Sequence, residues 1–190
     1  MRAGSPIPRA VEFDVEGLHL HWPRRCAEAR YAGKFVRWSE VRDADANGAP
    51  PELRLKDGRT IFVPATARND LLHALQEAGV TLVRRPPVWS HILEPFLDTD
   101  HAIFRDRCED DLQRWGFGAG EVRRLRRKFR APMVMLTLFT WEWANYGQAD
   151  LLSARYTVRL TPRRTTWRRY QRFRRWTDVI ADRPTQGGTR

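Results

Sequence analysis

Seven arginines, Arg163, Arg164, Arg168, Arg169, Arg172, Arg174 and Arg175, are interleaved with Trp167, Tyr170, Phe173 and Trp176. A guanidinium is a planar, permanently charged fork that holds phosphate oxygens two at a time. An aromatic ring beside it can stack on an unpaired base. Together these groups suit a nucleic-acid strand. A second basic run, Arg123, Arg124, Arg126, Arg127, Lys128 and Arg130, repeats the charge, while its Val122, Leu125 and Phe129 read as inward-facing. The residues expected on phosphates are Arg126, Arg127, Arg164, Arg168, Arg169, Arg172 and Arg175, with Trp167 and Tyr170 expected to stack on bases. Contacts of that kind are salt-sensitive and poor in sequence preference.

The same residues admit another reading. The terminal helix could dock with its rings in a core, on an acidic partner or on a second copy of the chain, its arginines solvated or paired with Glu109, Asp110 and Asp111. A basic, aromatic helix can also lie on an anionic membrane surface, but here arginines interrupt the apolar face too often for deep insertion. Peripheral membrane contact is therefore not expected.

Two further clusters could do chemistry. His19 and His21, two apart on a strand, point to one face and could ligate a metal with Cys26 or a carboxylate. An exposed strand face explains them as well. His91 and Glu94, at helical i and i+3 spacing, stand near Asp98, Asp100 and His101. The acidic residues there read as helix capping and first-turn charge. There is no phosphate loop, nucleophile elbow, zinc quartet or dinucleotide fingerprint, and Gly116-Phe117-Gly118-Ala119-Gly120 reads as a helix connection. The expectation is a non-enzymatic binding protein with no cofactor and no catalytic or metal residues.

Charge is distributed to match. Residues 1–120 hold 17 Lys and Arg against 18 Asp and Glu, and residues 121–190 hold 17 against 5, so the whole formal charge of +11 comes from the last third. That asymmetry is expected where a near-neutral body meets a polyanion. Only Lys34, Lys56 and Lys128 among the 34 basic residues are lysines. Bidentate phosphate recognition would favour that choice, and so would an Arg-rich proteome from a GC-rich genome; the genomic explanation is preferred for the choice of arginine but does not cover its concentration in one third. With two cysteines, no apolar leader and no apolar run of membrane length, the chain reads as soluble and cytoplasmic.

The elements that must carry these residues fall into two halves. Val11–Val15 and Leu18–Trp22 alternate apolar and polar, Phe35–Trp38 is a further strand, and Asp57-Gly58 between two alternating runs predicts a tight type I′ hairpin. From Pro64 the period becomes helical, with Leu71, Leu72, Leu75 and Ala78 on one face, Thr66 or Asn69 as cap and Gly79 as stop. Pro86-Pro87 marks a boundary. Beyond it the pattern predicts helices: Trp89–Leu97, one with Phe104, Cys108, Leu112 and Trp115 in a stripe, a short basic helix over Glu121–Arg130, and a central helix over Met133–Tyr146. The last starts at Thr161-Pro162 and reaches about Ile180, followed by a frayed tail. The fold class is α+β: residues 1–85 a β-rich subdomain with a closing helix, 88–182 a helical subdomain, 183–190 a tail.

Several antiparallel strands, a Trp-Ser-Glu-Val segment at 38–41, the strand pair around Asp57-Gly58 and one closing helix together resemble the small pleckstrin-homology-like domains of bacteria, over residues 9–83. The resemblance implies a fold. Domains of that shape bind lipids, peptides or one another, so it selects no ligand. Glu94–Thr99, with Trp141-Glu142-Trp143, is similar to bacterial proteins of unknown function.

Overall fold

The computed structural model describes residues 5–23, 27–97, 102–140, 146–157 and 167–186. Among the described residues it is a mixed α+β fold, with two antiparallel three-stranded sheets and seven α-helices. The chain divides into two units, one of residues 1–85 and 162–178, the other of residues 86–161 and 179–190.

In the first unit the alternating runs make one sheet in the order β1 (Ala10–Phe13), β2 (Gly17–His21), β3 (Phe35–Arg37), with Val11 opposite Leu20 and Leu18 opposite Val36. Asp14 turns the first hairpin, its Oδ1 accepting from the backbone N–H groups of Glu16 and Gly17 at 2.8 and 2.9 Å. Gly17 is needed for closeness: a Cβ there would stand 2.1 Å from the Val36 carbonyl oxygen. A short helix, α1 (Ala27–Tyr31), unexpected from the sequence, lies between β2 and β3.

The second sheet runs β4 (Val41–Asp45), β5 (Glu52–Leu55), β6 (Thr60–Phe62). Its Asp57-Gly58 hairpin is present but is not a two-residue type I′ turn. The Gly58 N–H donates to the Leu55 carbonyl and the Leu55 N–H to the Arg59 carbonyl, so three residues form the loop, with only the last needing positive φ (84° at Gly58). Asp57 steadies it by accepting from the Arg59 N–H at 3.0 Å. Then α2 (Arg68–Glu77) buries Leu71, Ala74 and Leu75 and stops at Gly79, whose φ is 64°. Neither Thr66 nor Asn69 caps it; a 3₁₀ turn over Ala65–Ala67 leads in without a side-chain cap. Leu18, Leu53, Leu71 and Leu75 are fully buried in the core of this unit, each such burial worth about 1.5–3 kcal/mol.

The second unit has α3 (Val88–Leu93) with a 3₁₀ turn over Glu94–Phe96, α4 (Ala102–Arg114), α5 (Ala119–Thr140) and α6 (Gln148–Thr157). The two helices expected over 121–130 and 133–146 are one through Thr140, continuous past Pro132. The later part, expected as a central helix, is not buried all round: Val134 is 44% exposed. The helix α6 was not evident from the sequence. It buries Ala149, Leu151, Leu152 and Ala154, and Asp150 accepts from the Gly147 N–H at 2.8 Å at its start. Trp89 meets Phe129 edge-on, ring centroids 5.9 Å apart.

The last helix, α7 (Trp167–Gln186), continues beyond the expected end at Ile180 and through Pro184. Its residues to Asp178 belong to the first unit and those from Val179 to the second. The Thr161-Pro162 start lies outside the described residues, as do Cys26, Asp98, Thr99, Asp100, His101, Arg163, Arg164 and the Trp141–Trp143 segment.

Candidate nucleic-acid interface

A helix advances about 100° per residue, so positions i, i+4 and i+7 fall within an arc of about 60°. On α7 those positions are Arg168, Arg172 and Arg175, all exposed, with exposed Arg169 on the flank. On α5 they are Arg123, Arg127 and Arg130, again all exposed, with exposed Arg124 on the flank. Each row ends, at i+11, on an exposed valine: Val134 at 44% and Val179 at 61%. Among the described residues, no ion pair or hydrogen bond engages the guanidinium of Arg127, Arg168, Arg172 or Arg175. Each row is therefore a line of uncompensated cations on a rigid rod.

Two of the expected site residues leave the surface. Arg126 borders the α5 row but is part-buried and already engaged: its Nε donates to the Ile92 carbonyl at 3.2 Å, one terminal nitrogen to the His91 carbonyl at 3.3 Å and the other to Glu109 at 2.8 Å. Glu109 thus takes an arginine of α5, not one of the terminal-helix arginines that the docking reading paired with the acidic cluster. Tyr170 is 3% exposed, and its hydroxyl donates to the Glu28 carboxylate. It has no face to offer a base. Trp167 is half-buried and already engaged: its ring stacks on Tyr170 at 6.0 Å, and the Arg30 guanidinium sits 4.5 Å from its centroid. Phe173 is buried, and the half-buried Trp176 leans on it at 5.7 Å. Arg127, Arg168, Arg169, Arg172 and Arg175 remain exposed; Arg164 lies outside the described residues.

The residue that sequence reasoning misplaced is Arg174, counted there among the surface arginines but 0% exposed. Its Nε donates to Glu28 at 3.1 Å, one terminal nitrogen to Asp178 and the other to the Thr60 carbonyl at 2.7 Å. The guanidinium also lies over the rings of Tyr31 and Phe62, 5.1 and 5.0 Å from their centroids. Tyr31 donates to the other oxygen of Asp178 at 2.8 Å, and Arg54 to the Asp178 carbonyl at 3.1 Å. Burial opposes the charge on Arg174, but Asp178, Glu28 and the two phenols outweigh it and raise its pKa. Burial also pushes the Glu28 carboxyl up, against the pull of Arg174 and Tyr170. The signal was available: on the helical wheel Arg174 shares an arc with Tyr170, Thr177 and Asp178, opposite the exposed row.

The other candidate clusters disperse. His19 and His21 are both about half exposed and bond to Asp14 at 2.9 Å and Glu12 at 3.1 Å. His91 donates from Nδ1 to the Pro87 carbonyl at 3.2 Å and faces Asp111 at 3.5 Å, whereas Glu94 lies 3.8 Å from Arg105. Among the described residues no three His, Cys, Asp or Glu side chains gather as a metal site, and no helix is long and apolar enough to cross a membrane. Protein-family models, curated proteins and solved structures yield no match to the chain.

Proposed function

We propose that this is a non-enzymatic cytoplasmic binding protein that holds nucleic-acid phosphates on two arginine rows. The contacting residues are Arg123, Arg127 and Arg130 on α5 and Arg168, Arg169, Arg172 and Arg175 on α7. The observation that carries the reading is the outward alignment of arginines for which the described residues supply no acidic partner, the condition under which a cation can release counterions from a phosphate backbone. The two three-stranded sheets and the helix that follows them support the pleckstrin-homology-like reading of residues 9–83, which adds nothing to the choice of ligand.

A fluorescence-anisotropy titration of labelled nucleic acid against salt tests this. Arg168→Gln/Arg172→Gln/Arg175→Gln should weaken binding at least about tenfold at low salt and flatten the salt dependence, with the circular dichroism spectrum unchanged. Undiminished binding would dismiss the α7 row. A chain cut before α7 is the wrong control, because it removes Arg174 and strands Glu28 in the first unit. Failure of any nucleic acid to bind would bring forward the second reading, an acidic protein partner or a second copy.

A further inference from the structure

We infer that the rows take the phosphates of a double-helical nucleic acid and are not a platform for single strands. The inference rests on the phosphate-binding reading above and specifies its ligand. Proteins that hold single strands combine a cationic groove with aromatic faces on which bases stack. Here the aromatics of the basic segments are spent elsewhere. Tyr170 and Phe173 are 3% and 8% exposed, and Tyr170 is tied to Glu28. Trp167 stacks on Tyr170 and has the Arg30 guanidinium over its ring, and Trp176 rests on Phe173. On α5 the aromatic within the basic segment, Phe129, is 0% exposed. Among the described residues of these segments, what is exposed is mainly guanidinium, and the aromatic surface beside it is limited to what the half-buried Trp167 and Trp176 leave uncovered.

Charge density then decides between strand types. From Arg168 to Arg175, as from Arg123 to Arg130, the helix rises about 10.5 Å. Over that length a duplex presents about six phosphates, and one stacked strand about three, because charges lie about 1.7 Å apart along the axis in the first case and about 3.4 Å in the second. A binder that gains nothing from bases follows the denser charge. Each row can neutralise three phosphates, which sets its share of the slope of log K against log salt at about −2.7 on a duplex.

The test compares labelled DNA duplex, RNA duplex and the corresponding single strands, of equal length, across a salt series. It uses the full chain, Trp167→Leu, and Arg168→Gln/Arg172→Gln/Arg175→Gln. The expected result is at least about fivefold tighter binding of a duplex than of its strands, no change in Trp167→Leu, and a slope shallower by about 2.7 in the arginine variant. Equal or tighter binding of single strands, or a loss of single-strand affinity in Trp167→Leu, overturns the inference and leaves the phosphate reading standing. Failure of the full chain to bind any of the four at low salt overturns both. The relative affinity of the two duplexes separates a DNA from an RNA ligand.

Discussion

The basic segments of α5 and α7 have the same outside over opposite interiors. Arg123, Arg127, Arg130 and Val134 correspond, at a constant offset of 45 residues, to Arg168, Arg172, Arg175 and Val179. Beneath the first set lie Leu125, Phe129 and Met133; beneath the second, at the same offset, lie Tyr170, Arg174 and Asp178, all buried. Phe129 and Arg174 thus occupy one slot of the pattern, both 0% exposed, one in an apolar core and the other in a charge network. An exposed row constrains only its own arc of the helix, and the interior can be of either kind. Apolar burial tolerates changes of shape. A buried ion network is near break-even against an apolar replacement but intolerant of losing one member.

The sharpest way to break this comparison is to put leucine in both slots. Arg174→Leu should cost about 3–5 kcal/mol, because it leaves Glu28 and Asp178 buried without their cation. Phe129→Leu should cost no more than about 1.5 kcal/mol. Midpoints of urea unfolding at unchanged slope measure both. Combining Arg174→Leu with Glu28→Gln and Asp178→Asn should recover part of the loss; equal costs for the two single variants would end the distinction between the interiors.

A smaller effect separates the outside of α5 from its inside. Arg126→Gln should lower stability by about 1 kcal/mol, since it abandons the His91 and Ile92 carbonyls. The salt slope of nucleic-acid binding should stay as it is. Arg127→Gln, one residue away but exposed, should do the reverse.

The smallest expected effect concerns how the second unit treats a titratable group. Burial holds the His91 imidazole below its ordinary 6.5, against the opposing pull of Asp111 and of the bond to the Pro87 carbonyl. The unfolded chain therefore binds the proton first as pH falls. The contribution is whole above the ordinary value and is lost as pH drops below it. Stability measured from about pH 7 to about pH 5 should fall less in His91→Gln than in the wild type. An imidazole signal titrating above 6.5 would contradict this.

Much of this was legible in the residues, and the failures have physical causes. Alternation placed the strands of the first sheet, and Gly79 and Gly116 stop helices with φ of 64° and 80° as their positions suggested. β4 was missed because its charged Arg42, Asp43 and Asp45 hide the period; Asp45 is nonetheless buried, where it accepts from the Arg85 N–H at 2.7 Å. Two helices were expected where α5 is one, because the change from a basic to an apolar pattern after Arg130 reads as a boundary, while the backbone continues through Pro132. The rows of the interface were visible as charge, but which arginines belong to them was not. Arg126 and Arg174 look like their neighbours until the carbonyls, carboxylates and rings that claim them are in place, and those come from segments distant in sequence.

That distance has a consequence in time. Glu28 and the arginine that neutralises it are 146 residues apart. At about 5–20 residues per second of synthesis, the carboxyl leaves the ribosome roughly 7–30 s before its partner. Through that interval the nascent first unit must keep Glu28 hydrated or protonated. Its last core side chain is supplied by the segment that carries the arginine row, so maturation of this unit and appearance of the α7 surface are one event.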